Sequence, residues 1–368
     1  MSCGPRLTAW STSAGDVRAR AAAYGRRVGA LGERASALVA PPKGILATGP
    51  GGAAMSGRLA AAGVPPTWEN RRAFRELLIT APGLQAGITG VILDAEGMDQ
   101  RSSDGPPLAE AIAAAGLMTG VRASTDRHPL PGTRGETITE GLDGLPARLE
   151  RWARRGAAFA TWRAVLRIGP GTPSPVAVRA NAQALGRYAA ACQAAGLVPV
   201  VAPHLDAGGL HPGARDSPAR SETVMSLVLL AVMSELLDYE VDPAAVILKP
   251  TMTRPGWRSG RWASAGESAE ATVRTLAGVP LTLAGVAFAG DSQRPGRATE
   301  ILAAMQSVPH IWPLTFAFGR ALTGPALSAW GGRPGQQAAA QRALAHRVAM
   351  NVAAMEGRYA PELDLHAA

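Results

Sequence analysis

Phe159-Ala160-Thr161-Trp162-Arg163-Ala164-Val165-Leu166-Arg167-Ile168 is an apolar, β-branched and aromatic run; an alanine-rich stretch of helical period follows from Ala177 to Ala195, and then a second run, Val198 to Leu205. A strand, a helix long enough to cross back over a sheet, and a second strand make one βαβ unit with parallel strands. The pattern extends in both directions. Upstream runs are Gly44–Ala47, Gly90–Leu93 and Met118–Ala123, and downstream ones are Val246–Met252, Gly285–Gly290 and Trp312–Phe318. Helical stretches such as Glu69–Leu78, Ser221–Leu237 and Ser268–Leu276 separate them. Eight βα units predict a closed (β/α)8 TIM barrel, with the glycine- and proline-rich loop Pro203–Arg220 on the face after the fifth strand, where such barrels carry their sites. Residues 1–27 read as an arginine- and alanine-rich helical extension, residues 28–368 as one barrel domain, and Gln336–Gly357 as its closing amphipathic helix.

Composition narrows the function. In 368 residues, 47% are hydrophobic and 18% charged, which excludes a disordered or fibrous chain. The longest apolar stretch, Val224–Met233 interrupted by Ser226, is too short to span a bilayer, so no membrane association is expected. Cys3 and Cys192 cannot build a disulfide framework, and the first residues lack a secretory core, so a reducing cytoplasm is expected. The net charge of +9 is carried almost wholly by arginine: lysine occurs only at Lys43 and Lys249. Because the arginines are spread along the chain, no nucleic-acid partner is expected.

That scarcity makes Lys249 conspicuous, at the end of the run Ala244-Ala245-Val246-Ile247-Leu248 and just before Pro250. A lysine at the carboxyl end of a buried parallel strand is desolvated, which lowers its pKa and frees its amine to attack carbonyls. The alternative is a stem packed on the strand with the ammonium in solvent. A second group, His204-Leu205-Asp206 with His211, could act in proton transfer, ligate a metal or be incidental to the loop, its spacing matching no tight metal motif. Gly49-Pro50-Gly51-Gly52 after the first strand reads as a flexible loop or an anion cradle.

Several segments resemble the class I fructose-bisphosphate aldolases: the run Phe159–Ile168, Ile247-Leu248-Lys249-Pro250, Leu314-Thr315-Phe316-Ala317-Phe318-Gly319-Arg320-Ala321-Leu322, Ala329-Trp330-Gly331-Gly332, Gly44–Ala47, Glu69-Asn70-Arg71-Arg72, Gly135-Glu136-Thr137, Gly141-Leu142-Asp143-Gly144-Leu145 and Gly357-Arg358-Tyr359. They keep that family's order from about Val28 to Tyr359. The resemblance implies a barrel assembling as a homo-oligomer, tetramer or dimer, that needs no cofactor or metal because a sixth-strand lysine, here Lys249, forms a Schiff base. It implies that Gly319 and Arg320 help hold a substrate phosphate and that Arg58 and Arg163 are two further arginines at the mouth.

The departures from that family bear on the substrate. Its first-strand aspartate and following glutamate are Gly49 and Pro50, and its third-strand lysine is Arg122. Its fourth-strand lysine is Thr161, its two fifth-strand glutamates are Ala202 and His204, and a serine–glycine pair by the phosphate is Gly290-Asp291. The final tyrosine of its tail has no counterpart before Ala368. General acid and base groups are worth roughly 10²–10⁴-fold each, and a carboxylate at Asp291 would repel a phosphate and pair with Arg320. These changes predict a Schiff-base enzyme acting through Lys249 on a small-molecule carbonyl compound other than fructose 1,6-bisphosphate, in specialised metabolism, with His204 moving protons and Asp291 near the substrate. The alternatives are a glycolytic fructose-bisphosphate aldolase and an inactive scaffold.

Overall fold

The computed structural model describes residues 29–49, 51–206, 218–253, 263–290 and 294–366. Eight parallel strands close in sequence order into a barrel. They are β1 (Gly44–Ala47), β2 (Ile88–Leu93), β3 (Met118–Arg122), β4 (Ala157–Arg167), β5 (Val198–Asp206), β6 (Ile247–Leu248), β7 (Gly285–Phe288) and β8 (Leu314–Phe318). The TIM barrel expected from the pattern is the fold observed. The anticipated extension over residues 1–27 lies outside the described residues.

Side-chain alternation along each strand sorts residues between two cores. Outward-facing residues such as Val91, Val201, Leu248 and Phe288 pack beneath the helices. Inward-facing Ile45, Ile92, Phe159, Val198, Val200, Ala245, Ile247, Ala287 and Ala317 fill the barrel. The helix over residues 29–38 closes its amino-terminal end, with Leu31, Ala35, Leu38 and Val39 joining the inner cluster. The open end is therefore the carboxyl-terminal one.

Phe159 is fully buried and needs bare backbone beside it. A Cβ on Gly120 would run into its ring, and one on Gly90 would come to 2.9 Å from it. Gly120→Ala is expected to cost about 1–3 kcal/mol through overpacking, seen as a lower denaturant midpoint at unchanged m-value; an unchanged midpoint would show that the ring can move aside.

Two elements differ from the sequence expectation. The sixth strand is shorter than Val246–Met252, because Pro250 has no N–H to continue the ladder; pairing resumes only as a bridge between Thr251 and Ala289. The glycine-rich segment after β1 turns into a helix at once, Gly52–Ala61, anchored by fully buried Met55 and Leu59. A hairpin of Arg127–Pro129 and Thr137–Thr139 covers the approach from β3 to β4.

Candidate active site

Lys249 follows β6 on the face that Ala245 and Ile247 present to the interior, so alternation turns it toward the barrel axis at the open end. Its backbone N–H donates to the Val201 carbonyl (2.7 Å), which extends the strand's hold to the lysine itself. The residue is half-buried. The neighbouring β5 brings Ala202 and His204 to the same face, both buried.

The other candidates arrange themselves in two groups, reached two strands away from β6 in either direction. On one side, after β8, Gly319 caps the helix Arg320–Trp330, so Arg320 opens that helix. Arg58, on the helix that follows β1, lies close enough to feel its charge. Arg58 Nη2 donates to Thr323 Oγ1 (2.8 Å) in the first turn of the same helix, while its Nη1 is buried with no hydrogen-bond partner. Burial first, and repulsion from Arg320 second, depress the Arg58 pKa to about 10. Two guanidiniums and a helix amino terminus form a site that favours an anion.

On the other side β4 carries Arg163 and β3 ends in Arg122. Arg163 Nη2 donates to His204 Nε2. Arg122 lies over Gly51, where a Cβ would occupy the place of its guanidinium. Arg122, Gly51, Gly52, Ser124 and Arg148 line a cleft of about 310 Å³ into which the uncapped start of Gly52–Ala61 opens. Thr161, the other departure on β4, is buried and faces the interior two residues after Phe159.

The structure thus places Lys249, His204, Arg163, Arg58, Gly319 and Arg320 at one end of the barrel. Asp291 and His211 lie outside the described residues. Among the described residues no cluster of three His, Cys, Asp or Glu side chains is placed to hold a metal ion, and no helix is long and apolar enough to cross a membrane. Cys192, fully buried against Tyr188, has its thiol pushed far up by burial and is inert as a nucleophile. Sequence reasoning missed Thr323, which orients Arg58; only the packing of two helices distant in sequence reveals it.

Fold and site together define a (β/α)8 barrel with one lysine amine at its open end and arginines on either side of it. The pattern of the glycolytic class I fructose-bisphosphate aldolases matches residues 30–368. The probable class 1 fructose-bisphosphate aldolase of Xanthomonas axonopodis pv. citri is 40% identical over 332 residues, 89% of this chain and 98% of that protein. The fructose-bisphosphate aldolase of Drosophila melanogaster is 40% identical over 333 residues, 89% of this chain and 91% of that one. A fructose-bisphosphate aldolase of Plasmodium falciparum, solved in a ternary crystal with TRAP and a small-molecule inhibitor, matches with a TM-score of 0.87 at 33% identity, covering 92% of this chain and 96% of that one. The chain belongs to the class I fructose-bisphosphate aldolase family, whose members are carbon–carbon lyases.

These relatives correct the expectation of a different carbonyl substrate in specialised metabolism. Relatives across nine-tenths of the chain are named for fructose bisphosphate; lost acid and base groups bear on rate, and Asp291, the departure expected to disfavour a phosphate, lies outside the described residues. The departures at residues 49, 161 and 202 remove proton-transfer groups and leave Arg58, Arg163 and Arg320 at the open end of the barrel.

Proposed function

We propose that this chain is a fructose-bisphosphate aldolase acting through Lys249. The observation that carries the reading is the Lys249 amine at the open end, with Arg58 and Arg320 together at a helix amino terminus on one side and Arg163 on β4 on the other, which suits a ketone bearing a phosphate at each end. The Lys249 amine attacks the C2 carbonyl, and loss of water leaves an iminium that draws electrons from the C3–C4 bond. As that bond breaks, the C4 hydroxyl gives its proton to water and the C4 fragment departs as an aldehyde. The remaining enamine takes a proton from water at C3, and the iminium so formed is hydrolysed, returning the free amine. Because positions 49, 161 and 202 supply no proton-transfer group, turnover belongs near the low end of ordinary enzymes, about 1 s⁻¹. A coupled assay on fructose 1,6-bisphosphate should show it; cleavage below about 10⁻³ s⁻¹ with intact folding would overturn the reading.

The reading carries a cytoplasmic setting, in keeping with the cytosolic aldolase 6 of Arabidopsis thaliana, 39% identical over 328 residues. It also carries a homo-oligomer, supported by Leu227, Leu230 and Leu237, which are more than half exposed along one helix. Light scattering coupled to size exclusion tests the latter.

Arg58 should trade stability against affinity. Its charge is desolvated and repelled by Arg320, which disfavours the charged form in the folded state near pH 7, and its depressed pKa means that stability rises as pH climbs above about 10. Arg58→Leu is expected to leave the melting temperature equal or higher while raising KM about tenfold or more. A fall in melting temperature with unchanged KM would show that Arg58 serves packing instead.

A further inference from the structure

We infer that His204 is a positioning residue that aims Arg163 at a substrate phosphate, and does not carry the reaction's proton. The inference rests on the fructose-bisphosphate reading for the identity of that phosphate.

Arg163 and His204 stand on adjacent parallel strands, but not opposite each other. Arg163 is in register with Ala202, and His204 with Val165, so the contact runs diagonally along the interior face. Ala202 is what permits it. A methyl group opposite Arg163 leaves the guanidinium room to lean toward the mouth, where Nη2 donates to His204 Nε2. A guanidinium has hydrogens to give and no lone pair to offer, so Nε2 must be the acceptor, and the imidazole carries its hydrogen on Nδ1. His204 is 7% exposed and held between strand neighbours, whereas Arg163 is exposed beyond it. A buried acceptor held by its strand neighbours and bonded to an exposed donor is the arrangement of a support for a binding group.

The proton-carrying role expected from the sequence conflicts with this contact. For Nε2 to take a proton it must give up Arg163, and the resulting imidazolium would face a guanidinium across the same gap. Each turnover would loosen the arginine at the moment when the phosphate needs it. Holding Arg163 and relaying protons therefore exclude each other at that nitrogen.

The two roles separate in kinetics and in binding. The probe is the reduced, carbonyl-free hexitol 1,6-bisphosphate, titrated calorimetrically into the full-length protein, which reads phosphate recognition without Schiff-base chemistry. His204→Ala is expected to weaken its binding about tenfold, as Arg163→Ala does, with the double variant no weaker than Arg163→Ala. His204→Gln, whose amide oxygen restores an acceptor, should bind within about threefold of the parent. In cleavage, His204→Ala should raise KM about tenfold and lower kcat less than threefold. Should the alanine variant fold poorly, His204→Leu fills the space without an acceptor and makes the same comparison.

Additive losses in the double variant, unaltered binding in His204→Ala, no binding by the parent protein, or a kcat fall of about 10²-fold at constant KM would each overturn the inference. A parent protein that binds the probe with this coupling but cleaves no fructose 1,6-bisphosphate would overturn the proposed reaction and leave the positioning role standing.

Discussion

Lys249→Ala and Lys249→Arg are each expected to abolish both cleavage of fructose 1,6-bisphosphate and covalent trapping of a ketone by borohydride, while melting temperature and circular dichroism stay close to those of the parent. The expectation follows from where the residue stands. Its side chain emerges half-buried at the end of a strand whose preceding inward residues, Ala245 and Ile247, are fully buried. Arginine there keeps the positive charge yet is protonated at any pH the protein survives, so it cannot attack a carbonyl. The pair of variants thus separates nucleophilicity from charge: a Coulombic role would be kept by arginine, a covalent one by neither. Reduction by borohydride fixes the iminium as a secondary amine, and peptide mass mapping should find the adduct only on the peptide containing Lys249. Trapping that persists in either variant would place the chemistry elsewhere. Lys43, the other lysine of the chain, lies just before β1 at the opposite end of the barrel, which makes the mapping unambiguous.

How much of this was legible in the sequence depended on whether the information is periodic or pairwise. Alternation of apolar residues is a property of each segment alone, and it gives β1 to the residue and all eight barrel strands. Lys249 stood out because the composition otherwise avoids lysine. The helix Gly52–Ala61 was hidden because its first residues are glycine and alanine, with low or neutral signals, and it is Met55 and Leu59 packing into the main core that decide its conformation. The hairpin of Arg127–Pro129 with Thr137–Thr139 was hidden because its strands are three residues long and its first strand is exposed, leaving no period to detect. The contact of Arg163 with His204 could not be read without the strand register, since it joins diagonal positions 41 residues apart. The substrate is hard to read for a related reason: a missing proton-transfer group shows at a single position, whereas the closeness of Arg58 to Arg320 appears only once the helices after β1 and β8 are brought together by the fold.

Arg75 shows the same limit most sharply, and its removal is expected to be the most destabilising single change at the site's foundation. Nothing in the pattern singles it out, yet its side chain is 1% exposed and charged. Nη2 pairs with Asp94 at 2.9 Å, and Nη1 donates to Glu96 Oε1 and Gln100 Oε1, both at 2.8 Å. Asp94 in turn caps the turn after β2 by accepting from Gly97 N–H. Glu96 also receives Arg71, whose Nη1 reaches Ser56 on the helix that carries Arg58. Burial alone would push the Glu96 carboxyl up, but the hydrogen bonds from Arg71 and Arg75 outweigh it and hold the group below its usual range. Arg75→Met keeps the stem and deletes the charge, stranding Asp94 and part of Glu96 in the interior. The expected cost is about 3–5 kcal/mol, a fall of roughly 4–6 °C in melting temperature for a chain of this size. The sign of the pH dependence follows from the same pairing. A carboxylate whose folded pKa is depressed contributes stability above its unfolded pKa and loses it as pH falls through the folded value, and the variant has less of that contribution to lose. The gap between parent and variant should therefore narrow as pH is lowered from 7 toward 3. Because Ser56 and Arg58 share a helix, KM for fructose 1,6-bisphosphate should rise in Arg75→Met at temperatures where the protein is still folded. A gap under about 1 kcal/mol at pH 7, or one that widens on acidification, would mean that water reaches Asp94 and Glu96 and that the helix bearing Arg58 is held by its apolar face alone.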